Sequence, residues 1–362
     1  MHNLPSPGCA IEEFLTDRTS VRRAHPAERQ SGLMDVDTAR SALLSRRVLE
    51  ERGLSSRQMA KAVEGGELVR VHHGVYVDGS VWRAAQAEAR HLLRVVAVDR
   101  GRRGGDPINA FVSAAVLWQL PLYRLDPERV HLAGRSADGH VSSARSGVAR
   151  HNADIEESDR AVVQGVTCTG LARTVADMIR LAPEEAGVSV ADAALRRVAF
   201  DERTREYDED AAAAFSDAVT ERLERIRGAR GVRRGRRILA MADGRAQLPG
   251  ESVSRLQLIR LGFAAPRLQV AIAAPFGGYY YVDFGLDDVR AWGEFDGEVK
   301  YRDPAMRPEG HDPLDVMVAE KMREDWIRGT TNRRMPRWGS MHIVTAERLG
   351  ERLAAFHVRP PG

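Results

Sequence analysis

The chain has 362 residues, of which 43% are hydrophobic and 29% charged, with a formal net charge of +3. That length and balance predict two or three globular domains with sizeable cores. They exclude a disulfide-stapled miniature, since the two cysteines, Cys9 and Cys168, form neither a disulfide framework nor a metal-ligand spacing. No run approaches the ~20 apolar residues of a membrane span, and the N-terminus lacks a signal-peptide core, so a cytoplasmic protein without membrane contacts is expected.

Residues 1–34 are polar, punctuated by Pro and Gly, and read as a flexible leader, with Met34 as an alternative start. From 35 to 80 the pattern sharpens. Asp37 is placed as the cap of a helix through Leu43, and Ser45 as the cap of Arg46–Arg52, which Gly53 stops. SRQMAKAVEGG, Ser56 to Gly66, predicts a short helix with Met59, Ala60 and Val63 inward, the chain turning at Gly65-Gly66. Leu68 to Val77 predicts two strands turned at His73-Gly74. Helix, turn, helix and hairpin make the winged-helix plan, in which the second helix enters the DNA major groove and the hairpin touches the backbone. Ser55, Ser56, Arg57, Gln58 and Lys61 are then the candidates for base or phosphate contacts, with Arg70, His72 and His73 on the wing. For the two histidines a solvated or packed turn is the equal alternative. The stretch LVRVHHGVYV and the helices before it resemble the N-terminal domain of the AbiE-type (type IV toxin–antitoxin) antitoxin family. That resemblance implies an autorepressor of transcription partnered by a nucleotidyltransferase toxin.

Residues 81–201 predict an α+β middle region: a helix from Trp82 to Asp99, a second from Phe111 to Leu122, strands at RVHLAG and VSSARSGVARHN, then a strand leading through Thr169 into a helix. His91, His131, His140 and His151 are scattered without ligand spacing, and Ser113, Cys168 and Asp177 are not read as a hydrolase triad. An acidic, polar stretch opens the connector at 202–247. Residues 211–242 then predict helix interrupted by Gly228, Gly231 and Gly235. Its arginines, Arg233, Arg234, Arg236 and Arg237 among them, are expected to attract phosphate, against the alternative of a solvated face.

The last stretch, 248–362, carries the chemistry. Glu251 lies in the first turn of a helix stopped by Gly262. YYYVDFGL predicts a strand holding Asp283, Asp287-Asp288 a turn, and Val289–Phe295 the returning strand with Trp292, Glu294 and Asp296 on one face. Such a hairpin brings Asp283 near Glu294. Carboxylates clustered among apolar residues repel one another, and burying them unpaired costs several kcal/mol each, roughly. A Mg²⁺ (or Mn²⁺) ion resolves that conflict and supports phosphodiester hydrolysis. Lys300 is placed to orient water or offset negative charge. His311 to Ile327 predicts a long helix whose EKMRED stretch favours internal salt bridges. Met341–Val344 reads as a final strand and Ala346–Phe356 as a closing helix.

This order of helix, three strands, helix and strand, with an acid on the helix, DF on one strand and E-x-D-G on the next, resembles the PD-(D/E)XK nucleases of the very-short-patch-repair-like branch. The resemblance implies a restriction-endonuclease-like core with Asp283, Glu294 and Asp296 as metal ligands and Glu251 assisting. Val282 stands in place of the motif proline and Asp296 in place of the motif lysine, with Lys300 as its substitute. A lower-ranked alignment uses Glu298 and Lys300 instead. The fold class expected is therefore an α/β multidomain chain: winged helix, α+β middle region and nuclease-like core. Two functions follow: a DNA-binding, metal-dependent deoxyribonuclease acting on double-stranded DNA, or a non-enzymatic AbiE-type antitoxin and autorepressor.

Overall fold

The computed structural model describes residues 34–102, 106–135, 147–297 and 313–361. Over these the chain is a mixed α/β protein with three sheets, divided into two compact units, Met1–Thr174 and Val175–Gly362.

The first unit begins with α1 (Val36–Ala42), β1 (Leu43–Ser45), α2 (Arg46–Glu51), α3 (Ser56–Glu64), β2 (Leu68–His72) and β3 (Val75–Asp78). Asp35, not Asp37, caps α1: its carboxylate accepts the Thr38 backbone N–H at 2.7 Å. The helix stops at Ala42 because Leu43 turns extended and pairs with Val77, so a strand replaces the expected helix end. The resulting sheet has the order β1-β3-β2, antiparallel throughout. Leu44, Leu49, Leu54, Met59, Ala62 and Leu68 form the core beneath it. Each larger member stabilises the fold by about 1.5–3 kcal/mol through burial. Ala60 and Val63, expected inward on α3, are exposed. The inward phase is set by Met59 and Ala62, three residues apart, which join Leu54 and Leu68 in the same core cluster.

The single helix expected over 82–99 is two, α4 (Gly79–Ala84) and α5 (Ala87–Asp99). Extended backbone at Ala85 and Gln86 separates them, and the Arg90 guanidinium donates back to the Trp82 carbonyl at 3.0 Å across the break. The next helix, α6, covers only Val112–Leu117, since Gln119 takes φ +57° and reverses the chain before Pro121. Strands β4 (Ile108–Asn109), β5 (Val130–Gly134), β6 (Val148–Asn152), β7 (Arg160–Val163) and β8 (Val166–Thr169) form a five-stranded mixed sheet in the order β6-β5-β4-β8-β7. Cys168 is fully buried there, and burial pushes its thiol up to about 12, which removes it as a nucleophile.

Helix α7 (Leu171–Leu181) crosses the division between the units. The second unit continues with α8 (Glu184–Ala199), α9 (Glu209–Arg225), α10 (Val232–Met241), α11 (Pro249–Arg260), β9 (Arg267–Ala273), β10 (Tyr279–Leu286), β11 (Ala291–Asp296), α12 (Pro313–Thr331), β12 (Arg337–Gly339) and α13 (Ala346–Ala354). Between α9 and α10 the chain breaks at Gly228 and Gly231, both at positive φ. The sheet order is β12-β11-β10-β9, with β11 and β12 parallel and the other pairs antiparallel. The last strand is Arg337–Gly339, not Met341–Val344, which forms a turn. Trp338 fixes it there: its ring stacks on Phe284 with centroids 5.3 Å apart, and its Nε1 donates to Ser254 Oγ at 2.9 Å. The returning strand starts at Ala291 rather than Val289, because Asp287–Val289 is a 3₁₀ turn closed by Arg290 at φ +51°. The expected cap at His311 and the leader before Met34 lie outside the described residues.

Candidate functional site

Helix α11 starts at Pro249, whose fixed φ suits the first helical position. A Cβ on Gly250 would lie 2.1 Å from the Phe295 ring, so only glycine lets the helix rest on β11. Every residue from Gly250 to Leu258 is buried, polar ones included. Each polar group therefore needs a partner. Ser254 Oγ donates to the Gly250 carbonyl at 2.7 Å, Gln257 Nε2 to the Ile343 carbonyl at 3.2 Å, and Arg255 Nη2 to both carboxylate oxygens of Asp192 at 2.7 Å. Burial of the acids is thus part of a wider polar network that apolar periodicity does not announce.

Glu251 Oε2 accepts the Gln247 backbone N–H at 2.9 Å and the Gln269 side-chain amide at 3.3 Å. The same Gln269 Nε2 donates to Asp283 Oδ1 at 3.2 Å, while Asp283 Oδ2 accepts the Phe295 backbone N–H at 2.8 Å. One neutral amide thus spends both hydrogens on two carboxylates from different elements. Gln269 holds φ +49°, a left-handed conformation that a residue with a Cβ rarely takes. Arg205 Nη2 donates to its Oε1 at 3.2 Å and lies over the Tyr281 ring at 3.9 Å. Nothing in the sequence marked Gln269: it sits in an ordinary strand and acts through a backbone irregularity.

Glu294 takes a different set of partners. Arg323 Nη2 meets its Oε1 at 2.7 Å and Arg337 Nη2 its Oε2 at 2.6 Å, with Glu294 itself 5% exposed. Glu320 accepts from both arginines, and Arg323 also donates to the Tyr281 carbonyl. Burial works against the charge on Arg337, but the Glu320, Glu294 and Asp296 carboxylates outweigh it and hold its pKa above the ordinary arginine value. Asp296 is half-buried and pairs with Gly339 across the parallel ladder. The four acids therefore occupy one small region of the core in two groups: Glu251 with Asp283 through Gln269, and Glu294 with two arginines, Asp296 beside them. Glu298 and Lys300 lie outside the described residues. Among the described residues, no three of His, Cys, Asp and Glu converge as ligands for one ion. Two guanidinium charges on Glu294 oppose a cation there, so the described side chains do not fit a divalent metal.

Replacing Glu294 by alanine is expected to leave Arg323 and Arg337 facing each other with Glu320 as their shared acceptor. A loss of about 2 kcal/mol in stability follows, read as a lower midpoint in urea unfolding at unchanged m-value. A midpoint equal to that of the parent protein would show that the ion pairs are not structural.

The winged-helix candidates fall into clear roles. Ser55 caps α3, and the Gln58 side chain accepts from the Ser55 backbone at 2.9 Å and its hydroxyl at 2.7 Å, so both are committed to a capping box. Ser56 Oγ accepts from Arg46 Nη2 at 2.7 Å. Arg57 and Lys61 stand exposed on α3. On the hairpin Arg70 Nη2 meets His73 Nδ1 at 3.0 Å, both exposed. His72 is half-buried, and burial, then the neighbouring His73 and Arg70 charges, lower its pKa. Along α10, Arg234 donates to the Arg180 carbonyl at 2.5 Å, Arg237 pairs with Glu184 at 2.7 Å and Arg236 lies 3.8 Å from Glu224. Of these four arginines only Arg233 is exposed with no such partner in the described contacts.

The scattered histidines conceal a network. His91 Nδ1 meets the Pro127 carbonyl at 3.0 Å and its Nε2 meets Ser113 Oγ at 2.9 Å, while Ser113 Oγ accepts the His131 backbone N–H at 2.8 Å. A carbonyl only accepts, so Nδ1 carries the proton and Nε2 accepts from the serine: a closed, neutral chain. His131 Nδ1 meets His151 Nε2 at 3.0 Å beside Phe111. Spacings of 18 to 36 residues give no sequence signal for such contacts.

No family model matches this sequence. The chain is 30% identical over 252 residues to uncharacterized protein Rv2248 of Mycobacterium tuberculosis (strain ATCC 25618 / H37Rv), a match covering 70% of this chain and 82% of the relative. The same figures hold for uncharacterized protein MT2308 of Mycobacterium tuberculosis (strain CDC 1551 / Oshkosh). At that identity and coverage, the chain belongs to the family of these two mycobacterial proteins.

Proposed function

We propose that this protein binds double-stranded DNA through a winged helix at residues 35–80 and carries a nuclease-type core at residues 248–362, acting as a transcriptional repressor of the AbiE antitoxin kind. The observation that carries this reading is α3. A capping box fixes its start, Met59 and Ala62 anchor one side, and Arg57 and Lys61 are exposed, with Arg70 and His73 on the hairpin that follows. A recognition helix and wing use such side chains on phosphates and base edges. Duplex containing the gene's own upstream region is expected to shift in a gel. Arg57→Ala and Lys61→Ala are each expected to weaken binding about tenfold or more, with Lys61→Ala lowering the salt slope by about one. Unchanged affinity in both variants would remove the winged-helix reading. A nucleotidyltransferase toxin is the partner this role implies.

The nuclease-type core is supported by the order helix, three strands, helix, strand, with β12 parallel to β11. A second reading, Mg²⁺-dependent hydrolysis, draws on one observation, the link from Glu251 through Gln269 to Asp283. Glu294 speaks against it, since its charge is already matched by Arg323 and Arg337. We therefore derive no hydrolytic step, and the acids enter the reading as structure. Purified protein with Mg²⁺ or Mn²⁺ is expected to leave plasmid DNA intact. Metal-dependent cleavage that disappears in Asp283→Ala and Glu294→Ala would establish the hydrolytic reading in its place.

A further inference from the structure

Arg180, Leu181, Arg230, Gly231 and Arg234 line a cavity of about 350 Å³ between the last turn of α7 and the first turn of α10. Three of these five residues are arginines. Arg180 Nη1 donates to the Arg230 carbonyl at 3.1 Å and Arg180 Nη2 reaches Asp177 Oδ1 at 3.3 Å. Arg234 Nη2 donates to the Arg180 carbonyl at 2.5 Å, which takes up the acceptor at that helix end. The Nε–H groups of both Arg180 and Arg234 are shut off from solvent and have no acceptor among the described residues, so the ligand-facing donors are their Nη groups. Arg230 is exposed. Against these three cations, Asp177 is the carboxylate in contact with them among the described residues.

The backbone is shaped for the same charge. Gly231 starts α10 at φ +83°, and no capping side chain bonds to the first N–H groups of the helix. A Cβ there would lie 2.0 Å from the Arg180 carbonyl oxygen, so the two segments approach this closely only with glycine. The two Nη groups of an arginine form a fork that matches two oxygens of one tetrahedral anion. Three arginines around an open cavity, with one carboxylate in contact with them among the described residues, leave a net positive charge that attracts an anion from outside the chain.

We infer that this cavity binds the phosphate group of a phosphate ester, held by Arg180, Arg230 and Arg234. The volume admits a phosphate with part of the group it esterifies, and exposed Leu181 supplies an apolar border for that group. The inference does not rest on the winged helix or on hydrolysis, since free phosphate tests it without DNA.

The experiment is calorimetric titration of the full chain with inorganic phosphate and with a nucleoside 5′-monophosphate, at ionic strength held constant with sodium chloride. Saturable binding is expected, and Arg234→Gln and Arg180→Gln are each expected to weaken it about tenfold or more. Because both residues also bond to backbone carbonyls, Arg230→Gln gives the independent reading. Its exposed side chain is not needed for folding, and a loss of about fivefold is expected. Arg227→Gln, an exposed arginine of the same loop outside the cavity, is the control and is expected to bind as the parent does. A short DNA duplex that displaces phosphate, with affinity lowered by Arg230→Gln, would assign the site to backbone phosphate. Displacement by the nucleotide alone would assign it to a free phosphate ester. Absence of saturable phosphate binding, or equal weakening by Arg230→Gln and Arg227→Gln, would overturn the inference.

Discussion

An Asp192→Ala variant is expected to lose about 3–5 kcal/mol of stability, the size seen when one partner of a buried ion pair is removed. Asp192 and Arg255 are 1% and 4% exposed, and the guanidinium Nη2 lies 2.7 Å from both carboxylate oxygens. The same carboxylate accepts the Asp243 backbone N–H at 2.9 Å. Without it, Arg255 keeps the Met241 carbonyl as an acceptor but no countercharge. For a unit of this size the loss corresponds to a melting temperature lower by about 10 °C. Asp192→Leu with Arg255→Met is expected to recover most of it, because a matched apolar pair needs no solvation. The pair ties α8 to α11, the helix that carries Glu251, so the site's position depends on it. An Asp192→Ala protein melting within about 2 °C of the parent would refute this account.

Acidification is the second large effect, and it falls on the first unit. Burial lowers His91 to about 3 and His131 to about 4, helped for His131 by the neighbouring His151. The native state therefore holds both rings neutral, while an unfolded chain protonates them at their ordinary pKa of about 6.5. Below that pH the unfolded state binds more protons, so stability rises with pH. The contribution is complete above about pH 6.5 and is lost as pH falls from there toward the folded values of about 4 and 3. Between pH 7.5 and pH 5 the loss is about 4 kcal/mol for the two rings together. Thermal unfolding followed across that range checks it, with a His91→Gln/His131→Gln protein expected to show a flatter profile. A parent profile already flat from pH 7.5 to pH 5 would mean that the rings are not held neutral.

The two effects mark where sequence and structure part. Local signals were legible. Ser45 caps its helix as its position requires, because a hydroxyl before an apolar-periodic run has one good use for its oxygen, whereas Ser55, expected at DNA, is spent on a capping box. The hairpin turned at His73-Gly74 and the strand Tyr279–Leu286 likewise follow from short-range pattern. Burial of Glu294 was also foreseeable, since it follows Ala291, Trp292 and Gly293 and precedes Phe295, whereas Glu251 stands beside Ser252 and its burial follows from packing.

What compensates those acids was not legible. The reading from sequence supplied a cation, because carboxylates alone were visible among the apolar residues. The tertiary structure supplies Gln269 between Glu251 and Asp283, and Arg323 and Arg337 on Glu294. These partners come from distant positions and arise from packing, so no spacing rule finds them. The same holds for the arginines after Glu221. Sequence displayed one basic run, whereas the fold commits Arg237 to Glu184 and turns Arg234 toward Arg180.

By itself, then, the sequence determined the cap at Ser45, the hairpin turned at His73-Gly74, the strand Tyr279–Leu286 and which residue types had to be reconciled with burial. Only the tertiary structure decided how they are reconciled, because Coulomb and hydrogen-bond energies depend on separations of a few ångströms between residues dozens of positions apart.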